Sequence, residues 1–155
     1  MWKEESLKWV DGNWELDTNR DRLNLDMIHD FLSNVAYWSL GIDRARVEKG
    51  IEGAVSFGLY HKNHQVGFAR VITDGASFGY LADVFILPEH RGLGRAKWMM
   101  QFILDHPDLQ GLRRWMLATG DAHGLYAQYG FKPLQRPEVF MERHSPRVYT
   151  EKGQA

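Results

Sequence analysis

Apolar positions along this chain follow two periods, and the switches between them mark its elements. Short, nearly continuous apolar runs read as strands: Ala54–Tyr60, Gln65–Thr73 and Phe78–Leu87, the last closed by Pro88. His61-Lys-Asn-His64 joins the first two as a hairpin turn, and Asp74-Gly75-Ala76 turns the chain into the third. Residues 8–17 predict an earlier strand, interrupted by a turn at Gly12-Asn13. Leu25, Ile28, Phe31 and Leu32 recur at helical spacing and share one face, behind Asp21 or Asn24 as a cap. A second helix is expected from Asp43 to Ile51, with Gly41 and Gly50 as punctuation. A third runs from Lys97 to Asp105 and is stopped by Pro107. Arg114–Ala118 reads as a strand, and Asp121–Tyr129 as a short helix ended by Gly130. Phe131–Leu134 and Val139–Glu142 predict two final strands, with Pro133 and Pro137 on their margins. The tail from Ser145 is polar and is expected to fray. Strands first, then strands alternating with helices, give a mixed α/β domain with a largely antiparallel sheet.

Composition narrows the class. A chain of 155 residues with 44% apolar residues can bury one core, so a single domain over residues 1–155 is expected. A formal net charge of −1 gives no argument for a nucleic-acid or anionic-membrane partner. The chain has no cysteine, which rules out disulfides, thiolate metal sites and a cysteine nucleophile. Met1-Trp-Lys-Glu-Glu-Ser lacks the apolar stretch of a signal peptide, and no run approaches the ~20 apolar residues of a membrane span. The expected location is therefore the cytoplasm. The histidines show no paired spacing for a metal, so none is expected.

The densest chemistry lies at His90-Arg91-Gly92-Leu93-Gly94-Arg95-Ala96, between an expected strand and an expected helix. Such a turn points unpaired N–H groups outward at the positive end of a helix dipole, and glycines let a ligand approach the backbone. This is an anion cradle suited to a phosphate or pyrophosphate. A Walker A loop needs a different spacing, and Lys97 stands where the dinucleotide fingerprint needs its third glycine. Arg91-x-x-Gly94-x-Ala96 instead resembles the Arg/Gln-x-x-Gly-x-Gly/Ala motif of the GNAT superfamily of N-acetyltransferases. Downstream, Leu125-Tyr126-Ala-Gln-Tyr-Gly130-Phe131 resembles the family's L-Y-x-x-x-G-F segment. Together the two motifs cover roughly residues 80–133.

The resemblance implies a GNAT-like fold with two central parallel strands, here Phe78–Leu87 and Arg114–Ala118, splayed around acetyl-coenzyme A. Arg91, Gly92, Leu93, Gly94, Arg95 and Ala96 would hold its pyrophosphate, with Arg91, Arg95 and Lys97 available to pair with phosphate oxygens. Main-chain groups of Val84, Phe85 and Ile86 would meet the pantetheine arm and the thioester oxygen. Tyr126 matches the tyrosine that in this family often lies near the cofactor sulfur, where its O–H can serve a leaving thiolate. Thr119 stands where many members have an asparagine that contacts the pantetheine arm, so that contact is open here. Tyr37 and Trp38 would line the acceptor wall and suit an apolar or cationic amine.

Asp83 is a lone carboxylate in an apolar strand; it is a candidate base, a partner for a basic side chain, or an anchor for substrate charge. Alternation puts it on the face of Phe85 and opposite Val84. Asp121 is expected to cap the helix that follows, and His123 is a second candidate base. The implied reaction is direct transfer of acetyl from acetyl-CoA to a primary amine in a ternary complex, with a small molecule or peptide as acceptor. The protein would act as a monomer or homodimer. A non-catalytic acyl-CoA sensor of the same fold, or a nucleotide-binding protein of another fold, are the competing classes.

Overall fold

A computed structural model of the chain describes residues 5–151. Six strands form one sheet in sequence order: β1 (Lys8–Asp11), β2 (Trp14–Asp17), β3 (Ala54–His61), β4 (His64–Thr73), β5 (Phe78–Ile86) and β6 (Arg114–Met116). All neighbours are antiparallel except β5 and β6. The family expectation of a mixed, largely antiparallel sheet with a parallel pair is met, and that pair, β5 and β6, stands at one end of the strand order among the described residues. The segment 8–17 is a two-stranded hairpin rather than one broken strand, with Asp11 opposite Trp14 across the Gly12-Asn13 turn. The β3–β4 hairpin is tighter than the four-residue turn expected, because His61 and His64 pair. Its central residues, Lys62 and Asn63, both take positive φ (50° and 67°), the backbone that matches strand twist in a two-residue turn.

Helices α1 (Leu25–Asn34) and α2 (Arg44–Glu52) connect β2 to β3 and cover one face. Asn24, not Asp21, caps α1 by accepting from the Met27 N–H, and Asp43 caps α2 in the same way from Arg46. Their apolar faces, including Ile28, Phe31, Leu32, Val47 and Ile51, pack on Phe68 and Phe85. The Phe31 and Phe85 rings stack with centroids 4.0 Å apart. Gly50 does not end α2, which runs on to Glu52 before Gly53. A Cβ at Gly50 would lie 3.3 Å from Arg70 Nη1, so the missing side chain makes room for that guanidinium.

Helices α3 (Arg95–Asp105) and α4 (His123–Ala127) cover the opposite face. There Met99, Met100, Ile103 and Tyr126 join Phe57, Leu59, Val71, Leu81 and Ile86 in the larger core. α3 starts two residues before the expected Lys97, since its first turn rests on Gly94 rather than on a side-chain cap. β6 ends at Met116 rather than at Ala118, and α4 is shorter than the predicted 121–129. Phe131–Leu134 and Val139–Glu142 are not strands. Prolines 133 and 137 each lack the N–H a ladder needs, and Pro137–Val139 closes into a single 3₁₀ turn. Residues 145–148 and 147–151 form turns, and Tyr149 packs against the α1–α2 core. Among the described residues no helix is long and apolar enough to cross a membrane.

One local feature sets the geometry of the cleft. Arg70 pairs with Ala82, and Phe68 with Phe85, so Asp83 and Val84 together face a single residue of β4. This is a β-bulge, and Asp83 takes φ +55° to make it. The extra residue reverses the alternation. Leu81 points into the α3 core and Phe85 into the α1–α2 core, although four residues apart on a regular strand would share a face.

Candidate active site

Two structures meet at the C-terminal half of β5. The first is the turn that leads into α3. Arg91 folds back, its Nε donating to the Ile86 carbonyl at 2.7 Å, which ties the turn to the strand end. Gly92 and Gly94 take φ of +78° and +74°, and a Cβ at either would meet nothing within 4 Å. Leu93 between them is 60% exposed. No side chain caps α3, and the first helical N–H bonded back to the turn is that of Trp98, to the Gly94 carbonyl at 3.2 Å. The N–H groups from Gly92 to Lys97 have no partner among the described residues. Open space over unpaired N–H groups at a helix N-terminus is the cradle that the sequence predicts.

The basic side chains near it divide. Arg95 pairs with Asp11 at 2.9 Å and lies over the rings of Trp14 and Trp98, at 4.5 and 5.1 Å from their centroids. Its guanidinium thus braces the turn against β1, β2 and α3. Lys97 is exposed and enters no ion pair among the described residues.

The second structure is a cleft between the parallel strands. β5 and β6 pair only from Phe78–Arg114 to Tyr80–Met116, then part. From Leu81 onward the edge of β5 toward β6 is unpaired, so main-chain groups there face the gap. A cavity of about 200 Å³ opens in it, lined by Leu81, Asp83, Val84, Thr119, Asp121 and Tyr126, with Tyr37 and Trp38 as its far wall. A second cavity of about 480 Å³, lined by Leu117, Thr119, His123, Phe131 and Pro133, shares Tyr126 with the first. Tyr126 is 8% exposed. Burial pushes its phenol pKa up, and the Asp121 and Tyr37 charges add to that rise.

Hydrogen bonds hold the walls. Trp38 Nε1 donates to Asp83 Oδ1 at 2.9 Å, and Arg70 Nε donates to Asp83 Oδ2 at 2.6 Å. Asp83 is therefore paired through both oxygens, and Arg70 is further bonded to the Gly50 carbonyl at 3.4 Å. Across the cleft, the Gly120 N–H donates to Tyr37 Oη at 2.8 Å. Neither Thr119 nor Asp121 caps α4, whose cap position is held by Ala122 with no side-chain bond; Thr119 Oγ1 instead accepts from the N–H groups of Asp121 and Ala122 at 3.4 and 3.1 Å, in the turn before the helix. Tyr129 Oη donates to the Lys97 carbonyl and joins the turn after α4 to α3. His123 is exposed at the start of α4 and lines the second cavity, not the first.

The structure thus gathers Tyr37, Trp38, Asp83, Val84, Thr119 and Tyr126 around one cavity, with Phe85 and Ile86 leading from it to Arg91–Ala96. Phe85 and Ile86 are buried, so only their main chain is available to a ligand. Arg70 was not among the residues expected here, although a signal existed. It is a lone charge in an apolar strand, as Asp83 is in the next strand. Among the described residues no group of three potential ligands could hold a metal.

The residues that build this site also carry its relationships. The family model described as the acetyltransferase (GNAT) domain matches residues 52–133. A candidate acetyltransferase of Gibberella zeae is 35% identical over 142 residues, spanning 77% of this chain and 79% of that protein. The crystal structure of a candidate GNAT-family acetyltransferase from Xanthomonas campestris pv. campestris superposes with a TM-score of 0.87 at 48% identity, covering 88% of this chain and 96% of the other. A GNAT family acetyltransferase from Elizabethkingia anophelis with acetyl-CoA bound shares the fold at 10% identity, with a TM-score of 0.59 over 79% of this chain and 78% of that one.

Proposed function

Because the chain belongs to the GNAT family of acetyltransferases, we propose that it transfers acetyl from acetyl-CoA to a primary amine by direct attack in a ternary complex. The observation that carries this reading is the convergence of the open, N–H-lined turn and the Tyr126 cleft on the parted edge of β5. The cradle fits a pyrophosphate: a Cβ-free opening, unpaired donors and an uncapped helix start in one place. Bound there, acetyl-CoA would supply the thioester that the amine attacks. Gly92 to Ala96 hold the phosphates by main chain, and the free edge around Val84 offers N–H groups for the carbonyl oxygen. Tyr126 keeps its proton for the leaving sulfur. With no cysteine, an acetyl-cysteine enzyme is excluded, and a cysteine-free chain suits the reducing cytoplasm, where we place the protein. The test is a turnover screen of acetyl-CoA against primary amines, reading free thiol. Binding of acetyl-CoA without turnover on any amine would turn the reading to the sensor.

Within this proposal Trp38 is a wall of the acceptor side. Trp38→Ala removes an indole that is 42% exposed and unties it from Asp83. The expected result is a change of about tenfold or more in acceptor kcat/KM, with acetyl-CoA affinity within about threefold of wild type. Paired titrations of cofactor and acceptor check this. Wild-type values for both would move the acceptor side toward residues 134–142.

For Asp83 the hydrogen bonds favour a positioning role, holding Trp38 while neutralising Arg70. Asparagine tolerates the left-handed backbone that Asp83 adopts, so Asp83→Asn deletes charge without adding strain. Stability should fall by about 1–3 kcal/mol, because Arg70 loses its counter-charge. The kinetic loss should appear as a raised acceptor KM at every pH. A fall in kcat concentrated at low pH would instead make Asp83 the base that takes the ammonium proton. Denaturant melts and a pH–rate profile of the same variant separate these outcomes.

A further inference from the structure

Asp121 was expected to be spent on a helix cap, and the structure releases it from that task. Thr119 Oγ1 accepts from both the Asp121 and the Ala122 N–H. The Asp121 carboxylate meets no hydrogen-bond donor and no cation among the described residues. It is nevertheless held in place. The turn that carries it is latched to the opposite wall by the Gly120 N–H on Tyr37 Oη, 2.8 Å away. Glycine suits that latch, because a Cβ at position 120 would stand 2.9 Å from the same oxygen and push it away.

The cavity it faces has a one-sided charge. Its charged lining residues are Asp83 and Asp121, with no lysine, arginine or histidine among them. Asp83 is already neutralised by Arg70. The uncompensated charge is that of Asp121, and it shares the cavity with four aromatic residues, Tyr37, Trp38, Tyr80 and Tyr126. Aromatic faces next to an unpaired carboxylate suit a cation.

That cation need not be the nitrogen that reacts. The attacking amine must shed its charge before it can use its lone pair, so a fixed carboxylate gripping that nitrogen as an ammonium would oppose the reaction. A second nitrogen keeps its charge from ground state to transition state, and Asp121 can hold it throughout. A cavity of about 200 Å³, which the thioester end of the cofactor would share, leaves room for a compact molecule. Resting on the transferase reading above, we infer that Asp121 is a specificity-determining residue that binds a second, spectator ammonium group on the acceptor, so that compact diamines are favoured over monoamines of the same length.

The experiment uses 1,4-diaminobutane and 1-aminobutane as a matched pair. Binding of each to the coenzyme-A-loaded protein is measured by calorimetry, and kcat/KM for acetylation is measured alongside. The diamine should bind about tenfold more tightly or better, with the gain falling as salt rises. Asp121→Asn should remove most of that preference as a raised KM, and Asp121→Glu should restore part of it. Affinity for acetyl-CoA should stay at the wild-type value in both variants. Equal affinities for the two amines, no measurable binding of the diamine, or a preference that survives in Asp121→Asn would each overturn the inference. The transferase reading fails separately. Asp121-dependent diamine binding with no acetylation of any amine would leave this site standing and remove the transfer. Acetylation indifferent to the second charge would do the reverse.

Discussion

Gly94→Glu should abolish detectable acetyl-CoA binding while the protein stays folded. Position 94 sits at φ +74° immediately before α3, where the chain offers open space and unpaired N–H groups. Any L-residue there carries backbone strain of about 1–2 kcal/mol. Nothing else in the fold objects, since a Cβ meets no atom within 4 Å. The new carboxylate also gains slightly from the positive end of the helix dipole, which offsets part of the strain. Met99, Met100 and Ile103 keep α3 anchored in the core. The glutamate would occupy the anion's place and repel what remains of its charge. Gly94→Ala carries the same backbone strain without the charge, and should weaken binding only several-fold. Calorimetric titration of both variants, with a thermal melt for each, checks the pair. A folded Gly94→Glu protein with wild-type affinity for acetyl-CoA would remove the basis of the cofactor assignment.

The turn was legible in the sequence because its chemistry is mostly backbone. Glycine spacing between an apolar run and a helix states where N–H groups go unpaired, whatever the fold around them. The β3–β4 and β4–β5 hairpins and α1 were legible for a similar reason, since turn residues and apolar period act locally. The bulge at Asp83 was not. Alternation assumes a regular strand, and one left-handed residue shifts every side chain after it to the other face. The lone charges of Arg70 and Asp83 hinted at a pair, but their meeting depends on that bulge and on Gly50 clearing space within α2. Position 121 misled in the opposite direction. Aspartate before a helix reads as a cap, yet α4 begins one residue later, with Ala122 at the cap position and no side-chain cap. The C-terminal segment carries apolar residues at Val139, Phe140 and Met141 but no strand, because a strand also needs N–H groups and a partner edge in register.

Tyr126→Phe should cost about 10²-fold or more in turnover with acetyl-CoA affinity nearly unchanged. The phenol lies where the two cavities of the cleft meet, packed edge-on against Phe131 with centroids 6.1 Å apart. The substitution removes one oxygen and keeps the ring, so this packing survives. Tyr126 Oη makes no hydrogen bond among the described residues, so its loss leaves no partner stranded. Folding stability should therefore hold, which separates a chemical effect from a structural one. The raised pKa points the same way. Burial keeps the phenol protonated at and above neutral pH, the form that can give a proton to a departing thiolate. The alkaline decline in rate due to this group should then begin above the ordinary tyrosine value of about 10. Linkage has the same sign. With the folded pKa raised, the unfolded chain ionises first, so this group's contribution to stability is complete below about pH 10 and is lost as pH rises. The phenylalanine variant should lose that dependence. Single-turnover rates of acetyl transfer, a cofactor titration and melts at neutral and alkaline pH give the three readouts. A variant that turns over at the wild-type rate would make Tyr126 a packing residue, and the proton for the sulfur would then have to come from water or from another wall of the cleft.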